Sequence, residues 1–450
     1  MRGDGGRRRF GARRNVCADA ARSSALAMIR SSSAAWLALA VVVHVDNLKA
    51  IRAASGENVA LEVTEAVWRA VQLRLVTASD VVAERVIWSP EELCFVVRAA
   101  TDIGSASNDA LRAQVCSWLL DVGCRPLFVS GAVLQVALSW NATVAERGSG
   151  DRDVLHLLLI EARQTLARSS GSPTTQSLDP EDARRDMAAA VAHYAELVSG
   201  ELQFAWAPVR AVDDDVLLYL RAEVAIPGVV GQIINREAGY RALERLRLVA
   251  IFDHLQVQRA IDHLVRGGGW AVCVSVSATS FRRSSWWDQL LAQLEGQRFI
   301  AERLLVAVDC EQFAVFLGPA AELADRLRRL GCKIVLLGFG SGQIALAGLL
   351  ALRPDVITLD PFLIELAARG GRDLELCRRV VALAAVLAPL VVAEGVDTFR
   401  HAAVALDVGV SWGCGAFFGG PRWRGPGGYA GRPGRIPPFQ WQAGGAEWGA

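Results

Sequence analysis

Two kinds of apolar pattern alternate along this chain. Short continuous apolar runs include AWLALAVVVHV (35–45), ELCFVVRAA (92–100), WAVCVSVS (270–277), LLVAVD (304–309), KIVLLGF (333–339), VITLD (356–360) and LVVAEGV (390–396). Runs this short and rich in Val and Ile predict buried strands. Between them lie longer segments with apolar residues three and four apart, such as NVALEVTEAVWRAVQLRLV (58–76), LRAQVCSWLLDVG (111–123), DVLHLLLIEARQTLARSSG (153–171), AAELADRLRRLG (320–331) and LCRRVVALAAVLA (376–388). That spacing predicts amphipathic helices. RPLFVSGAVLQVALSW (125–140) is strand-rich, with a turn expected at Ser130–Gly131.

SSGSPTTQSLDPED (169–182) is polar and rich in Ser and Pro, and divides the pattern in two. Before it the order of elements suits a compact sheet with helices on its faces. After it, strands return every 25–40 residues with helices between most of them, among them LQFAWAPV (202–209) and VLLYLRAEVAI (216–226). Strand–helix alternation over so long a stretch predicts a (β/α) barrel, whose chemistry sits at the C-terminal strand ends. Asp360 and Glu394 fall there.

A chain of 450 residues, 52% hydrophobic with a net charge of +1, has material for two or three cores. Its balance of charge gives no pull toward nucleic acid or anionic membrane. The nine cysteines form no CxxC pair and lie mostly in apolar runs, which predicts buried thiols in a reducing cytoplasm. The run 34–45 is too short to span a bilayer and leads into Asp46. The basic, Gly-rich start MRGDGGRRRFGARR reads as a disordered arm or as sequence upstream of the true start, with no signal peptide behind it.

VVAEGVDT (391–398) resembles the AEGVET segment of bacterial EAL domains, the cyclic di-GMP phosphodiesterase family. Other landmarks follow in order. AELVSGELQFAWAPV resembles the helix, GEL and strand that open the family; WAVCVSVSATSF resembles the VNLS strand; RLRRLGCKIVLLGFGSG leads into the DDFGTG position; DVITLD resembles the KID strand; CGAFFGGP resembles the closing QGYxFxxP. The first part resembles the GGDEF, or diguanylate cyclase, family through VVVHVDNLKAIRAASG (41–56) and ERVIWSPEELCFVV (84–97). The resemblance implies a disordered arm (1–33), a degenerate GGDEF-like α/β domain of the ferredoxin or cyclase type (34–171), a linker (172–183), a degenerate EAL-like TIM-type barrel (184–424) and a disordered Gly/Pro-rich tail (425–450).

Family members hydrolyse one phosphodiester bond with metal-activated water, held by carboxylates at several strand ends. Most of those positions are replaced here. The resemblance puts Ser275 at the VNLS asparagine, Ala307 or Val308 at the ExTE carboxylate, Leu337–Gly338 at the paired aspartates, Thr358 at the KID lysine and Cys414 at the QG glutamine. Glu394 and Asp360 remain, and either Glu223 or Leu220 stands at the EAL glutamate, with the family's phosphate-binding arginine in place in neither register. Without bridging anions two divalent cations have nothing to offset their repulsion. No catalytic residue, metal or cofactor is therefore expected; magnesium or manganese would accompany only a residual phosphodiesterase activity. Glu394, Asp360 and Pro421 are the candidate ligand contacts. In the GGDEF-like part His44, Arg52 and Ala53 replace cyclase positions, Asp46, Lys49 and Gly56 persist, and Ser89–Leu93 stand where the signature belongs.

These substitutions imply a cytoplasmic pseudoenzyme of cyclic di-GMP signalling that works through protein contacts, alone or as a homodimer. A receptor that binds cyclic di-GMP without hydrolysis is the alternative, and a divergent phosphodiesterase the third. The 13 tryptophans add an expectation: Trp286, Trp287 and Trp412 fall near loops or the mouth, where exposed indoles would anchor a partner.

Overall fold

The computed structural model describes residues 36–75, 81–89, 92–100, 107–145, 152–169, 179–199, 203–214, 216–225, 236–267, 269–309, 317–340, 346–422 and 432–434. The expected arm, most of the linker, Pro90–Glu91 of the signature segment and the end of GFGSG lie outside them, as does the expected disordered tail except 432–434, where a short strand forms instead. The chain forms two compact units. One takes residues up to 199 with 238–251 and 284–289; the other takes 200–237, 252–283 and the remainder from 290.

The first unit runs β1 (Trp36–Val45), α1 (Leu48–Ser55), α2 (Glu57–Leu75), β2 (Val81–Ser89), β3 (Glu92–Ala100), α3 (Asn108–Cys124), β4 (Leu127–Val129), β5 (Ala132–Leu134), β6 (Leu138–Ala145), α4 (Arg152–Ser169) and α5 (Pro180–Ser199). Its main sheet has the order β2-β3-β1-β6, with every pairing antiparallel. β1 is central and buried on both faces, which explains its unbroken apolar run. Ala40 and Val42 pack with Leu159, Ala162 and Leu166 of α4. Trp68 of α2 meets Phe95 of β3 at 5.5 Å. The expected turn closes the β4–β5 hairpin, with Ser130 at φ 46° and Gly131 at φ 83°.

The sequence pattern missed one start. α5 begins at Pro180, inside the polar segment, because Asp179 caps it by accepting from the Glu181 amide at 2.8 Å. The expectation for two tryptophans is also corrected. Trp286 and Trp287 are buried, and Trp286 Nε1 donates to the Leu138 carbonyl at 3.0 Å and packs edge-on to Trp140. The DQLLAQL helix they open places their indoles on its apolar face, so they pack rather than await a partner.

The second core is built on β7 (Gln203–Ala211), β8 (Val216–Ala225), β9 (Val272–Val276), β10 (Leu304–Asp309), β11 (Lys333–Phe339), β12 (Val356–Leu359), β13 (Leu390–Ala393) and β14 (Trp412–Gly413). The order β8-β7-β14-β13-β12-β11-β10-β9 closes through a parallel β8–β9 pairing, giving an eight-stranded TIM-like barrel. β7 departs from the all-parallel plan, running antiparallel to both neighbours. A short β15 (Arg432–Pro433) adds to β8 outside the ring.

The helices of this part of the chain are α6 (Arg236–Arg245), α7 (Val249–Val265), α8 (Ser285–Leu294), α9 (Arg298–Ala301), α10 (Leu317–Leu330), α11 (Leu346–Leu352), α12 (Pro361–Ala367), α13 (Gly371–Leu387) and α14 (Phe399–Asp407). The barrel interior is apolar: Val209, Leu218, Tyr219, Cys273, Leu305, Ala307, Val335, Val356, Val392 and Cys414 form one buried cluster, with Leu337 and Trp412 packed against it.

Candidate functional site

Side chains two apart on a strand share a face. On β8 Tyr219 belongs to the interior cluster, so Arg221 and Glu223 follow it on the inner face while Leu220 points outward. The register to β9 pairs Arg221 with Cys273 and Ala222 with Val274, which brings Glu223 level with Ser275. Ser275 in turn pairs with Ala307 of β10, and Asp309, two residues on, pairs with Leu337 of β11. Thr358 of β12 pairs with Val392 of β13, and Glu394 follows that strand.

Three of these residues converge. Arg221 Nη2 and Nε donate to Glu223 Oε1 at 2.8 and 3.2 Å, and Arg221 Nη1 lies 3.0 Å from Glu394 Oε1. The second contact is an ion pair by distance; Glu394 Oε1 is buried and has no hydrogen-bond geometry to any group. The side chains of Arg221, Glu223 and Glu394 keep 21%, 13% and 19% of their surfaces accessible, so the charges are largely desolvated and depend on one another. Burial opposes the arginine's charge, but Glu394 and then Glu223 outweigh it and hold the guanidinium pKa well above its ordinary value. The Ser275 hydroxyl is buried and lacks a partner.

The remaining candidates have other work. Asp360 caps α12, accepting from the Phe362 amide at 2.8 Å, with Pro361 at the first helical position. It thus stands at a C-terminal strand end beside the strand that precedes Glu394. Pro421 is exposed, next to Arg422, whose backbone exchanges hydrogen bonds with Trp206 of β7. Gly338 has φ 71°, and its amide donates to Thr358 Oγ1 at 3.3 Å. In the first unit Asp46 accepts from Ser139 Oγ at 2.8 Å and lies 2.9 Å from His44 Nδ1.

Sequence reasoning missed Arg221 and Asp309. The signal for Arg221 was its spacing of two from Glu223, unusable while Leu220 and Glu223 competed for the same position. Asp309 was overlooked because Ala307 and Val308 were compared with the ExTE carboxylate; alternation from Ala307 puts it on the inner face, and a side chain at Gly338 would begin 4.0 Å from its Oδ1.

A two-cation cluster does not fit these residues. Among the described residues no group of three or more His, Cys, Asp and Glu side chains is arranged to hold a metal ion. The two glutamates that come together already share a guanidinium, and apart from Asp309 the inward strand residues are apolar or small.

Burial pushes the thiols of Cys116, Cys332 and Cys414 up to about 12 from an ordinary value of 9.0, and Cys94 to about 11. A thiol is neutral when protonated, so its raised folded pKa contributes stability that is full below pH 9 and is lost as pH rises toward 12. Each such thiol is expected to remove up to about 1.4 kcal/mol per pH unit in that window. Urea midpoints should therefore fall from pH 8 to pH 10, less steeply in Cys332→Ala; a flat profile contradicts this.

The EAL domain profile matches residues 191–421, just over half of the chain. The chain belongs to the EAL-domain family. Cyclic di-GMP phosphodiesterase NbdA of Pseudomonas aeruginosa is 26% identical over 243 residues, covering 53% of this chain and 29% of that protein. The chain thus spans less than a third of that relative's length. Among solved structures, the EAL domain of Xanthomonas citri FimX in complex with c-diGMP is 23% identical, covering 53% of this chain and 95% of that one at a TM-score of 0.45. The S helix-GGDEF-EAL segment of Vibrio cholerae LapD bound to c-di-GMP is 15% identical, covering 88% of this chain and 93% of that one at a TM-score of 0.47. No described helix is long and apolar enough to cross a membrane.

Proposed function

We propose that this EAL-family chain is a non-hydrolysing module of cyclic di-GMP signalling that acts through protein contacts, with a GGDEF-related first unit that has lost cyclase chemistry. The carrying observation is that Arg221 holds both Glu223 and Glu394 while Leu337–Gly338 stand where the family resemblance puts the paired aspartates. Hydrolysis in this family needs cations to activate water and to take up charge on the phosphate. Here the two carboxylates already share one guanidinium, which leaves a single net negative charge, and their ring neighbours Ser275, Ala307 and Thr358 supply no further anion, Asp309 being the one other acid on that face among the described residues.

A second reading, binding of cyclic di-GMP without hydrolysis, is favoured by one feature. Phe399 and Phe417 are exposed, 6.4 Å apart, and Phe417 is tied to the Val396 carbonyl two residues beyond Glu394. Such faces suit purine stacking. Calorimetric titration of the full chain with cyclic di-GMP, with and without magnesium, separates the readings. No heat is expected for the module acting through protein contacts. Magnesium-independent binding with the nucleotide recovered intact supports the receptor instead, and magnesium-dependent turnover overturns both.

A further inference from the structure

We infer that Arg221 is a resident cation: it holds Glu223 and Glu394 together in place of metal and thereby closes the barrel mouth to divalent ions. The inference rests on the metal-free reading above and deepens it.

The two glutamates come from strands that are not neighbours, β8 and β13, so neither backbone pairing nor a local turn accounts for their approach. What joins them is one guanidinium, with two nitrogens on Glu223 and the third on Glu394. Two desolvated carboxylates facing each other would repel, and one would take up a proton unless a cation intervened. Other buried acids each have hydrogen-bond donors of their own: Asp253 accepts from the Ser277 amide at 2.8 Å and also from Ser280 Oγ, Asp355 from the Ile334 amide at 2.8 Å and Lys333 Nζ at 3.4 Å, and Asp186 from Arg245 at 2.6 and 2.7 Å. At the mouth Glu394 has only the arginine among the described residues.

The guanidinium stays charged at every accessible pH and is fixed to the chain. A divalent ion arriving at the same oxygens must displace it or sit beside a like charge. Displacement is opposed because the released guanidinium would remain in a largely apolar barrel without its partners. The buried oxygen of Glu394 that lacks hydrogen-bond geometry is the residue of this arrangement: a directional ligand atom now held by charge alone.

The test is titration of the full chain with Mn²⁺ alone, followed by the EPR signal of the free ion, in the native protein, Arg221→Met, Arg221→Lys and Arg221→Met/Glu394→Gln. Removing the resident charge is expected to tighten Mn²⁺ binding by about thirtyfold or more. The added Glu394→Gln should abolish the gain, and Arg221→Lys should show none. Native binding as tight as that of Arg221→Met overturns the inference while leaving the absence of hydrolysis intact, as does a gain in Arg221→Lys. Should Arg221→Met fail to fold, Arg221→Met/Glu223→Gln/Glu394→Gln decides. Recovery of folding in that variant assigns the failure to uncompensated charge, and a second failure makes Arg221 a packing residue and overturns the inference.

Discussion

Leu337→Asp/Gly338→Asp, which returns the family's acidic pair, is expected to lower stability by about 3 kcal/mol or more and to yield no hydrolysis of cyclic di-GMP. Leu337 packs against the barrel cluster that contains Ala307, Val335 and Tyr219. A carboxylate there loses that apolar contact and gains no donor from the ring. Gly338 is at φ 71°, a conformation that costs an aspartate little only if its side chain finds a partner, and a side chain here starts 4.0 Å from Asp309 Oδ1. Like charges would then face each other across the mouth. Differential scanning calorimetry and a nucleotide assay on the same preparation check both halves. An unchanged melting temperature, or metal-dependent turnover, contradicts the expectation.

Gly415→Ala should cost about 3 kcal/mol or more, because strain and overlap add. Gly415 adopts φ 150°, and a Cβ there would meet the Val396 carbonyl oxygen at 2.4 Å, its carbon at 2.6 Å and its nitrogen at 2.7 Å. These are backbone atoms of the segment that follows Glu394, tied to Cys414 by the Val396 amide at 3.0 Å. No rotamer change relieves the contact, so the loops after β13 and β14 must separate. The denaturant midpoint reads the loss directly. A shift no larger than that of an exposed Gly→Ala change, such as Gly420→Ala, would show that these loops are not packed as described.

The barrel was legible because buried parallel strands write themselves as continuous apolar runs. β9 to β13 all read that way, and their ends marked Asp360 and Glu394. In the first unit β1 and β3 pair antiparallel but are buried on both faces, so their apolar runs are continuous too, and the Ser130–Gly131 turn was legible beside them. Three things were not. The start of α5 hid in a polar segment, because a helix cap and a linker use the same residues. Trp286 and Trp287 suggested exposure because an aromatic pair beside arginines and serines looks the same in sequence whether it faces a core or solvent. The central arginine escaped because its meaning depends on register. One residue of slip sends Arg221 out of the barrel, and nothing local to β8 says which side is inside. Only closure of the ring, with Tyr219 against Cys273 and Cys414, fixes Arg221 and Glu223 inward.

Charge follows from that register. Glu394, the acid that the apolar pattern picks out, is bound to a cation the chain itself carries, and Asp360 is bound to a helix end. The measurement that meets this account most directly is chromatography of cyclic di-GMP after incubation with the full chain at stoichiometric concentration in magnesium and, separately, in manganese. Unchanged cyclic nucleotide in both is the predicted result. A linear dinucleotide product that requires the metal and disappears in Glu394→Ala would contradict it.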